Sequence, residues 1–323
     1  MNPVVAGIDL GGTSIKAAIA DLDGNLLVHR LIPTKSHAGP EAVIDRMAKL
    51  VGTLLAESGC SAIQGLGVGA PGLVDIVHGV TKFFPNLPTQ WREIPVADQL
   101  SRLLHCPVSL LNDVRTATLG ELHFGHGKTN PTVTMAFFAI GTGIGGGVVI
   151  DGKLRLGDLG AAGELGHQTI RADGPRCGCG NRGCLEAIAG GAAITAAGVR
   201  LMRSGLAPSL YELTGGNNDQ VTPRAMAEVA DRDPLVREAL VDAGRAIGIA
   251  AANIVTSIHP DLVVLGGGVA EIGDLLVETV GSEITERVRM FPTDRIRVEA
   301  SMLGPQAGIM GAIALALKKS KPQ

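Results

Sequence analysis

The chain is poor in aromatic residues, with one Trp, one Tyr and six Phe among 323 residues. Single-stranded nucleic acids are held largely by bases stacking on such side chains, so no stacking platform is expected. No charge of one sign dominates either. Twenty-eight Lys and Arg stand against 31 Asp and Glu, a formal net charge of −3, which gives a polyanion nothing to be drawn to. Long apolar runs are also lacking. The uncharged stretch 129–150 has the length of a membrane span, but its glycines cluster at 141, 143, 145, 146 and 147. Its longest glycine-free apolar piece, Val133 to Ile140, is only of strand length. Met1 to Asp9 carries no basic segment before an apolar core, so no secretion signal is read there. Neither nucleic acid nor membrane is expected as a partner, and a cytoplasmic location is expected.

Cysteine is scarce and oddly placed. There are five, and Cys177, Cys179 and Cys184 fall within eight residues. A disulfide framework needs an even, dispersed set in a small secreted chain. The spacing His167-x9-Cys177-x-Cys179-x4-Cys184 instead offers three thiolates and an imidazole, a set suited to tetrahedral Zn²⁺. Four protein ligands leave no open position, so such a zinc is structural. Cys60 and Cys106 lack such neighbours and read as buried apolar positions.

Hydrophobic residues make up 46% and charged residues 18%, enough to build a core. The length suggests about two domains. Val4 to Asp9, Ser14 to Ala20 and Asn25 to Val28 read as strands, separated by turns at Gly11-Gly12 and Asp23-Gly24. A helix is predicted over Pro40 to Ser58, from apolar residues at Val43, Met47, Leu50, Leu54 and Leu55. Strands at Leu66 to Val68 and Val108 to Leu111 follow, the second running into a helix over Val114 to Phe124. The opening pattern then recurs: strand Val133 to Ile140, a glycine turn, strand Gly147 to Ile150, and the turn Asp151-Gly152. Two such units suggest duplicated halves. Helices are predicted over Pro234 to Ile258, Ile272 to Val288 and Gly308 to Leu317, with a buried strand at Asp261 to Leu265. The class is α/β.

Gly67-Val-Gly69-Ala-Pro-Gly72 and Gly141-Thr-Gly143-Ile-Gly145-Gly146 both fit G-x-G-x-x-G, but neither opens a helix within a strand–helix–strand unit. A nicotinamide site is therefore rejected. Residues Gly11 to Lys16 lack Walker spacing. What remains is a pair of glycine turns, ordinary turns if taken singly, each able to aim backbone N–H groups at phosphate oxygens. Thr13 and Thr142 add hydroxyls, and Gly143 would let backbone approach the phosphates. Asp9, just before the first turn, could hold Mg²⁺ directly or through water. Asp113 can be read as a helix N-cap or as a base at a strand end, and Asn112 as a turn residue or a hydroxyl ligand.

Asp9-Leu-Gly-Gly-Thr13, Gly69-Ala-Pro-Gly72, Asn112-Asp113, the glycine turn at 141–146, Glu164-Leu-Gly-His167 and Cys177-Gly-Cys179-Gly-Asn-Arg-Gly-Cys184-Leu-Glu186 together resemble the ROK family of bacterial sugar kinases and sugar-responsive repressors. The resemblance runs from residue 4 to about 317. It implies a duplicated actin-like/ribonuclease-H-like two-domain kinase fold, with ATP and sugar in a cleft between the domains. Expected boundaries are 1–115 plus about 305–323 for the smaller domain and 116–304 for the larger. The resemblance makes Asp113 the general base for the 6-hydroxyl of a hexose. It makes Gly72, Asn86, Asn112, Asp113, Glu164, His167 and Glu186 sugar ligands. ATP with Mg²⁺ falls to Asp9, Gly11, Gly12, Thr13, Lys16, Gly141, Thr142, Gly143 and Gly145, with Gly266, Gly267 and Gly268 on the adenosine side. Zn²⁺ falls to His167, Cys177, Cys179 and Cys184.

The pattern departs from the family at Val114-Arg115-Thr116, where Ala-Asn-Ala is usual, and at Asn86-Leu-Pro-Thr-Gln-Trp91, one residue longer than usual. Both border the expected sugar pocket. The leading expectation is a glucokinase acting as a homodimer or homotetramer. The alternatives are an N-acetylhexosamine or mannose kinase, polyphosphate as donor, or a repressor. The last is disfavoured because the first phosphate turn starts at residue 9, leaving no room for a helix-turn-helix before it.

Overall fold

In the computed structural model, which describes residues 3–84, 87–88 and 91–320, the expected strand–turn–strand repeat is the framework of both halves. In chain order the elements are β1 (Val4–Leu10), β2 (Ser14–Asp21), β3 (Leu26–Pro33), α1 (Pro40–Glu57), β4 (Ile63–Ala70), β5 (Leu73–Asp75), β6 (Val80–Phe83), α2 (Val96–Leu104), β7 (Val108–Asn112) and α3 (Asp113–Phe124). There follow β8 (Met135–Ile140), β9 (Ile144–Ile150), β10 (Lys153–Arg155), α4 (Leu185–Ala189), α5 (Gly191–Arg203), α6 (Pro208–Thr214), α7 (Pro223–Val229) and α8 (Pro234–Ile258). The last are β11 (Leu262–Gly266), α9 (Asp274–Arg287), β12 (Arg297–Ala300) and α10 (Ala307–Ser320).

The chain divides into two units. Unit 1 is 1–131, 152–162 and 305–323; unit 2 is 132–151 and 163–304. In unit 1 the strand order is β3-β2-β1-β4-β7, with the β1–β2 and β2–β3 pairs antiparallel and the β1–β4 and β4–β7 pairs parallel. β1 is buried at nearly every position, as a strand covered on both faces must be. Val4, Ala6 and Ile8 join the core containing Val43, Met47, Val51 and Leu54 of α1, while Val5 packs with Ile313 and Ala316 of α10. Unit 2 repeats the plan: β8 pairs antiparallel with β9 and parallel with β11, and β11 pairs parallel with β12.

The division falls after Pro131, not at residue 115, because α3 belongs to unit 1 through close packing on α10. A Cβ on Gly120 would lie 2.4 Å from the Ala307 carbonyl oxygen, and one on Gly311 would lie 1.7 Å from that of Thr116. Neither contact tolerates a side chain. β9 begins at Ile144 rather than Gly147, so Gly145 is a strand residue paired with Ala139 and not part of the turn. Its neighbour Gly146 is bare because a Cβ there would lie 2.4 Å from Leu165 Cγ. This is how the segment carrying Glu164 and His167 rests on the strand. α8 is long and apolar enough to cross a membrane, but its buried face, including Val236, Leu240, Ile247 and Val255, lies in the core of unit 2.

The α3–α10 crossing should be the most sensitive packing point in unit 1. Gly311→Ala forces two helix backbones apart, an overpacking cost of about 1–3 kcal/mol or more. Its thermal unfolding midpoint should drop by at least about 3 °C, whereas Gly59→Ala, with open space around it but a positive φ of 71°, should lose less.

Candidate active site

The first glycine turn joins β1 to β2. Its carbonyls are all engaged: Thr34 Oγ1 donates to Gly11 O at 2.8 Å, Ser36 Oγ to Gly12 O at 3.3 Å, and Thr34 N–H to Thr13 O at 2.9 Å. Gly11 N–H bonds internally to Ser14 O. The N–H groups of Gly12 and Thr13 have no backbone acceptor among the described residues, the arrangement of an anion-binding turn. Thr34 is fully buried, and its own carbonyl accepts from Arg46 Nη1 at 2.6 Å. Sequence reading missed Thr34 and Ser36, since each looks like an ordinary strand-end residue. Asp9 is the penultimate residue of β1, beside the turn. Lys16 Nζ lies 3.6 Å from its Oδ2 and donates to Pro305 O at 3.2 Å. Burial pushes the Asp9 carboxyl above its usual 3.8, and the Lys16 ammonium only partly offsets this.

The second turn, between β8 and β9, has the same arrangement with different partners. Gly141 N–H bonds to Gly143 O, while Gly191 N–H donates to Gly141 O at 2.9 Å and Ala192 N–H to Thr142 O at 3.0 Å. The start of α5 thus receives the turn's carbonyls. Gly141 and Thr142 line a cavity of about 420 Å³ with Gly191, Thr195, Thr222 and Gly268. Arg224 and Glu271 also line it and approach to 3.7 Å. Of the expected loop 266–268, only Gly268 reaches this cavity. Gly266 is bare because a Cβ would lie 2.7 Å from the Phe137 ring, and Gly267 because one would lie 2.4 Å from Ile140 O. Gly143 is bare for a reason that spacing could not show. A Cβ there would lie 2.2 Å from Glu186 Oε2, so a side chain would displace Glu186 as well as crowd a phosphate.

Asn112 and Asp113 divide the start of α3. Asn112 is the N-cap, its Oδ1 accepting from Val114 N–H at 3.0 Å and Arg115 N–H at 3.2 Å, while its Nδ2 donates to Gly72 O at 3.0 Å. The cap role therefore belongs to Asn112, and Asp113 is the first helical residue, half-buried, with Oδ1 2.9 Å from Val114 N. Asn112 Oδ1 also accepts from Arg115 Nη1 at 3.1 Å. Its oxygen is filled, so what Asn112 keeps for a ligand hydroxyl is an amide hydrogen. Gly72 has φ +87°, and a Cβ would lie 2.2 Å from Phe83 O. Asn86 lies outside the described residues.

In unit 2, a short 3₁₀ turn over Leu165–His167 sets Glu164 Oε2 4.0 Å from His167 Nε2. The other ring nitrogen, Nδ1, lies 3.6 Å from Cys177 Sγ, and Cys179 Sγ lies 3.7 Å from Cys184 Sγ. All four donor atoms fall within 4.8 Å of one another. Tetrahedral zinc with Zn–S about 2.3 Å and Zn–N about 2.0–2.1 Å separates its ligand atoms by about 3.6–3.8 Å, so the donor set fits. A knuckle holds it: Cys177 N–H bonds to Asn181 O and Gly180 N–H to Cys177 O. Burial pushes the Cys177 thiol up to about 12 and raises that of Cys184, while the Asn181 N–H holds Cys179 down. Thiolates at 177 and 184 need a cation to compensate them. Glu186 joins this cluster to the turn. Its Oε2 accepts from Ile144 N–H at 3.0 Å, and its Oε1 lies 3.6 Å from Cys177 Sγ.

Two sheets of repeated order, two glycine turns with engaged carbonyls and a carboxylate at a strand-to-helix junction make an α/β protein of duplicated design. The sequence profile of the ROK family matches residues 5–319. The chain is 34% identical over 316 residues to a glucokinase of Thermotoga maritima, covering 96% of each. It is 32% identical over 289 residues to an N-acetylmannosamine kinase of Vibrio cholerae, covering 88% of this chain and 90% of the relative. A ROK family glucokinase from Streptomyces griseus, solved with glucose and AMPPNP, superposes with a TM-score of 0.83 at 30% identity, covering 98% of this chain and 99% of that one. The chain belongs to the ROK family. Its fold is the two-domain actin-like/ribonuclease-H-like fold of ROK sugar kinases, and it is a sugar phosphotransferase of the hexokinase type.

The raised Asp9 carboxyl carries a stability cost whose sign follows from linkage. A group harder to ionise in the folded than in the unfolded chain makes folding bind protons, so stability falls as pH rises above 3.8 through the raised value. Asp9→Asn should therefore melt higher than the native chain at pH 7, with the gap closing as pH falls towards 3.8. Melting curves across that range check it, and a gap independent of pH would contradict it.

Proposed function

We propose that the protein transfers the γ-phosphoryl group of ATP to the 6-hydroxyl of a hexose, with glucose the preferred acceptor. The observation that carries this reading is the division of labour at α3. Asn112 caps the helix and thereby places the Asp113 carboxylate at its first residue, where a base for a hydroxyl proton is of use. In this reading Asp113 receives the proton of the attacking hydroxyl. Glu164, Glu186 and His167 Nε2 take other sugar hydroxyls, since carboxylates accept several strong hydrogen bonds. The N–H groups of Gly12, Thr13, Thr142 and Gly143 hold phosphate oxygens, and the 420 Å³ cavity takes the adenosine. Asp9 supplies a hard oxygen for Mg²⁺, which when bound neutralises phosphate charge. In this reading the protein works in the cytoplasm, where ATP is at hand.

A coupled assay over glucose, mannose, N-acetylglucosamine and N-acetylmannosamine, with ATP or polyphosphate as donor, tests the assignment. The highest kcat/KM is expected for glucose with ATP, and a higher value for an N-acetylhexosamine would overturn the acceptor. Asp113→Asn keeps size and polarity but cannot take a proton, so kcat should fall by about 10²-fold or more while calorimetric sugar affinity changes little. Retention of half the native kcat would make Asp113 a helix residue only.

The His167, Cys177, Cys179 and Cys184 set would hold one structural Zn²⁺, which on binding contributes folding free energy. His167 would use Nδ1 for the metal and keep Nε2 for a sugar hydroxyl. Elemental analysis should find one zinc per chain. Cys184→Ser should lose it, melt lower and weaken sugar binding more than ATP binding, because Glu186 is two residues away. Fully active protein with no stoichiometric metal would refute the zinc assignment.

A further inference from the structure

Arg115 is 1% exposed, among the largest fully buried side chains of the fold. A guanidinium removed from water is tolerated only when its donors are satisfied, and here Nε, Nη1 and Nη2 each reach a neutral oxygen. Nε donates to Ala162 O at 3.1 Å, Nη2 to Ala161 O at 2.9 Å and Nη1 to Asn112 Oδ1 at 3.1 Å. These contacts complete a closed circuit within unit 1. Asn112 Nδ2 holds Gly72 O at 3.0 Å, and Gly72 leads directly into β5. The loop 156–162 is closed by Ala162 N–H on Leu156 O at 2.9 Å. It returns to the end of β5, where a Cβ on Gly160 would lie 3.2 Å from Ile76 Cγ2. Three segments distant in sequence are thus joined through one planar cation, and two of them carry residues assigned to the hexose.

We propose that Arg115 is a positioning residue for the hexose: by tying the Asn112 amide to loop 156–162 it fixes Asn112 and Gly72 in place before substrate arrives, and so sets hexose affinity rather than turnover or ATP affinity. This rests on the hexose-kinase reading above. The guanidinium is suited to the task because its donors lie in one plane and can serve three acceptors at once. A lysine ammonium is a point donor on a flexible stem and cannot. Binding then requires no ordering of this region, a cost otherwise charged against affinity.

Arg115→Lys keeps the charge and tests the fork geometry. Its KM for the best hexose should rise about 10-fold or more, with kcat within about 3-fold and the ATP KM within about 2-fold of native. An equal rise in both KM values, or an unchanged hexose KM in the folded variant, overturns the proposal. A second measurement needs no variant: amide hydrogen exchange of the native protein without sugar. The Ala162 amide should be strongly protected, whereas exchange at the open-chain rate overturns a preformed circuit even if Arg115→Lys does not fold. Native protein inactive on every hexose would overturn the kinase reading itself. Active native protein with an unaffected Arg115→Lys overturns only the role of Arg115.

Discussion

A peptide unit that aims its N–H at a phosphate sends its carbonyl the opposite way, and something must receive that carbonyl. Both glycine turns depend on this constraint, and each half meets it differently. In unit 1 the receivers are Thr34 and Ser36, just beyond β3, so the turn is held by the strand after its own hairpin. In unit 2 they are the first N–H groups of α5, groups a helix would otherwise leave unpaired. That solution needs two backbones in close contact: a Cβ on Gly191 would lie 2.5 Å from Gly141 O, and one on Gly190 3.1 Å from Thr142 O. The same turn geometry therefore arises on repeated sheets from unrelated partners.

Glu186 extends the constraint into the cysteine cluster. One carboxylate oxygen holds the Ile144 N–H beside the second turn, and the other faces Cys177. Cys184 is the N-cap residue of α4, and Glu186 lies in that helix's first turn. A metal bound to Cys184 would therefore also fix the carboxylate, and the carboxylate holds the turn through the Ile144 N–H. The bare Gly143 is the other side of this arrangement, since Glu186 fills the space a side chain would need. The cluster, an expected sugar ligand and an expected phosphate turn form one mechanical unit.

The α3 end of unit 1 is built on a similar economy of parts. Asn112 caps the helix, latches Gly72 and receives Arg115. The adjacent Asp113 holds the first helical position without having to act as the cap. α3 is itself fixed by its glycine-mediated contact with α10, so the carboxylate stands on a rigid element rather than a loop.

Periodicity and turn chemistry determined much of this protein from sequence. The limits of α8 were legible because Pro234 starts it and His259-Pro260 stops it, and the two hairpins were legible from their glycine and Asp-Gly turns. The His and Cys spacing marked a donor set whose atoms do converge. Tertiary structure decided the rest, wherever meaning depends on a distant atom. Gly143 reads as bare for a phosphate alone until Glu186, 43 positions on, is found against it as well. Gly266 and Gly267 read as a nucleotide loop until Phe137 and Ile140 are seen to require them bare. Asp113 could be read from sequence as helix cap or as base, and only the backbone path shows that the cap is Asn112. Arg115, a charge in a helix that sequence alone would leave at the surface, is buried because carbonyls 46 and 47 residues away receive it. Local pattern fixes which residues can form an element. Which of them touch, and hence what each is for, follows from packing that no local window contains.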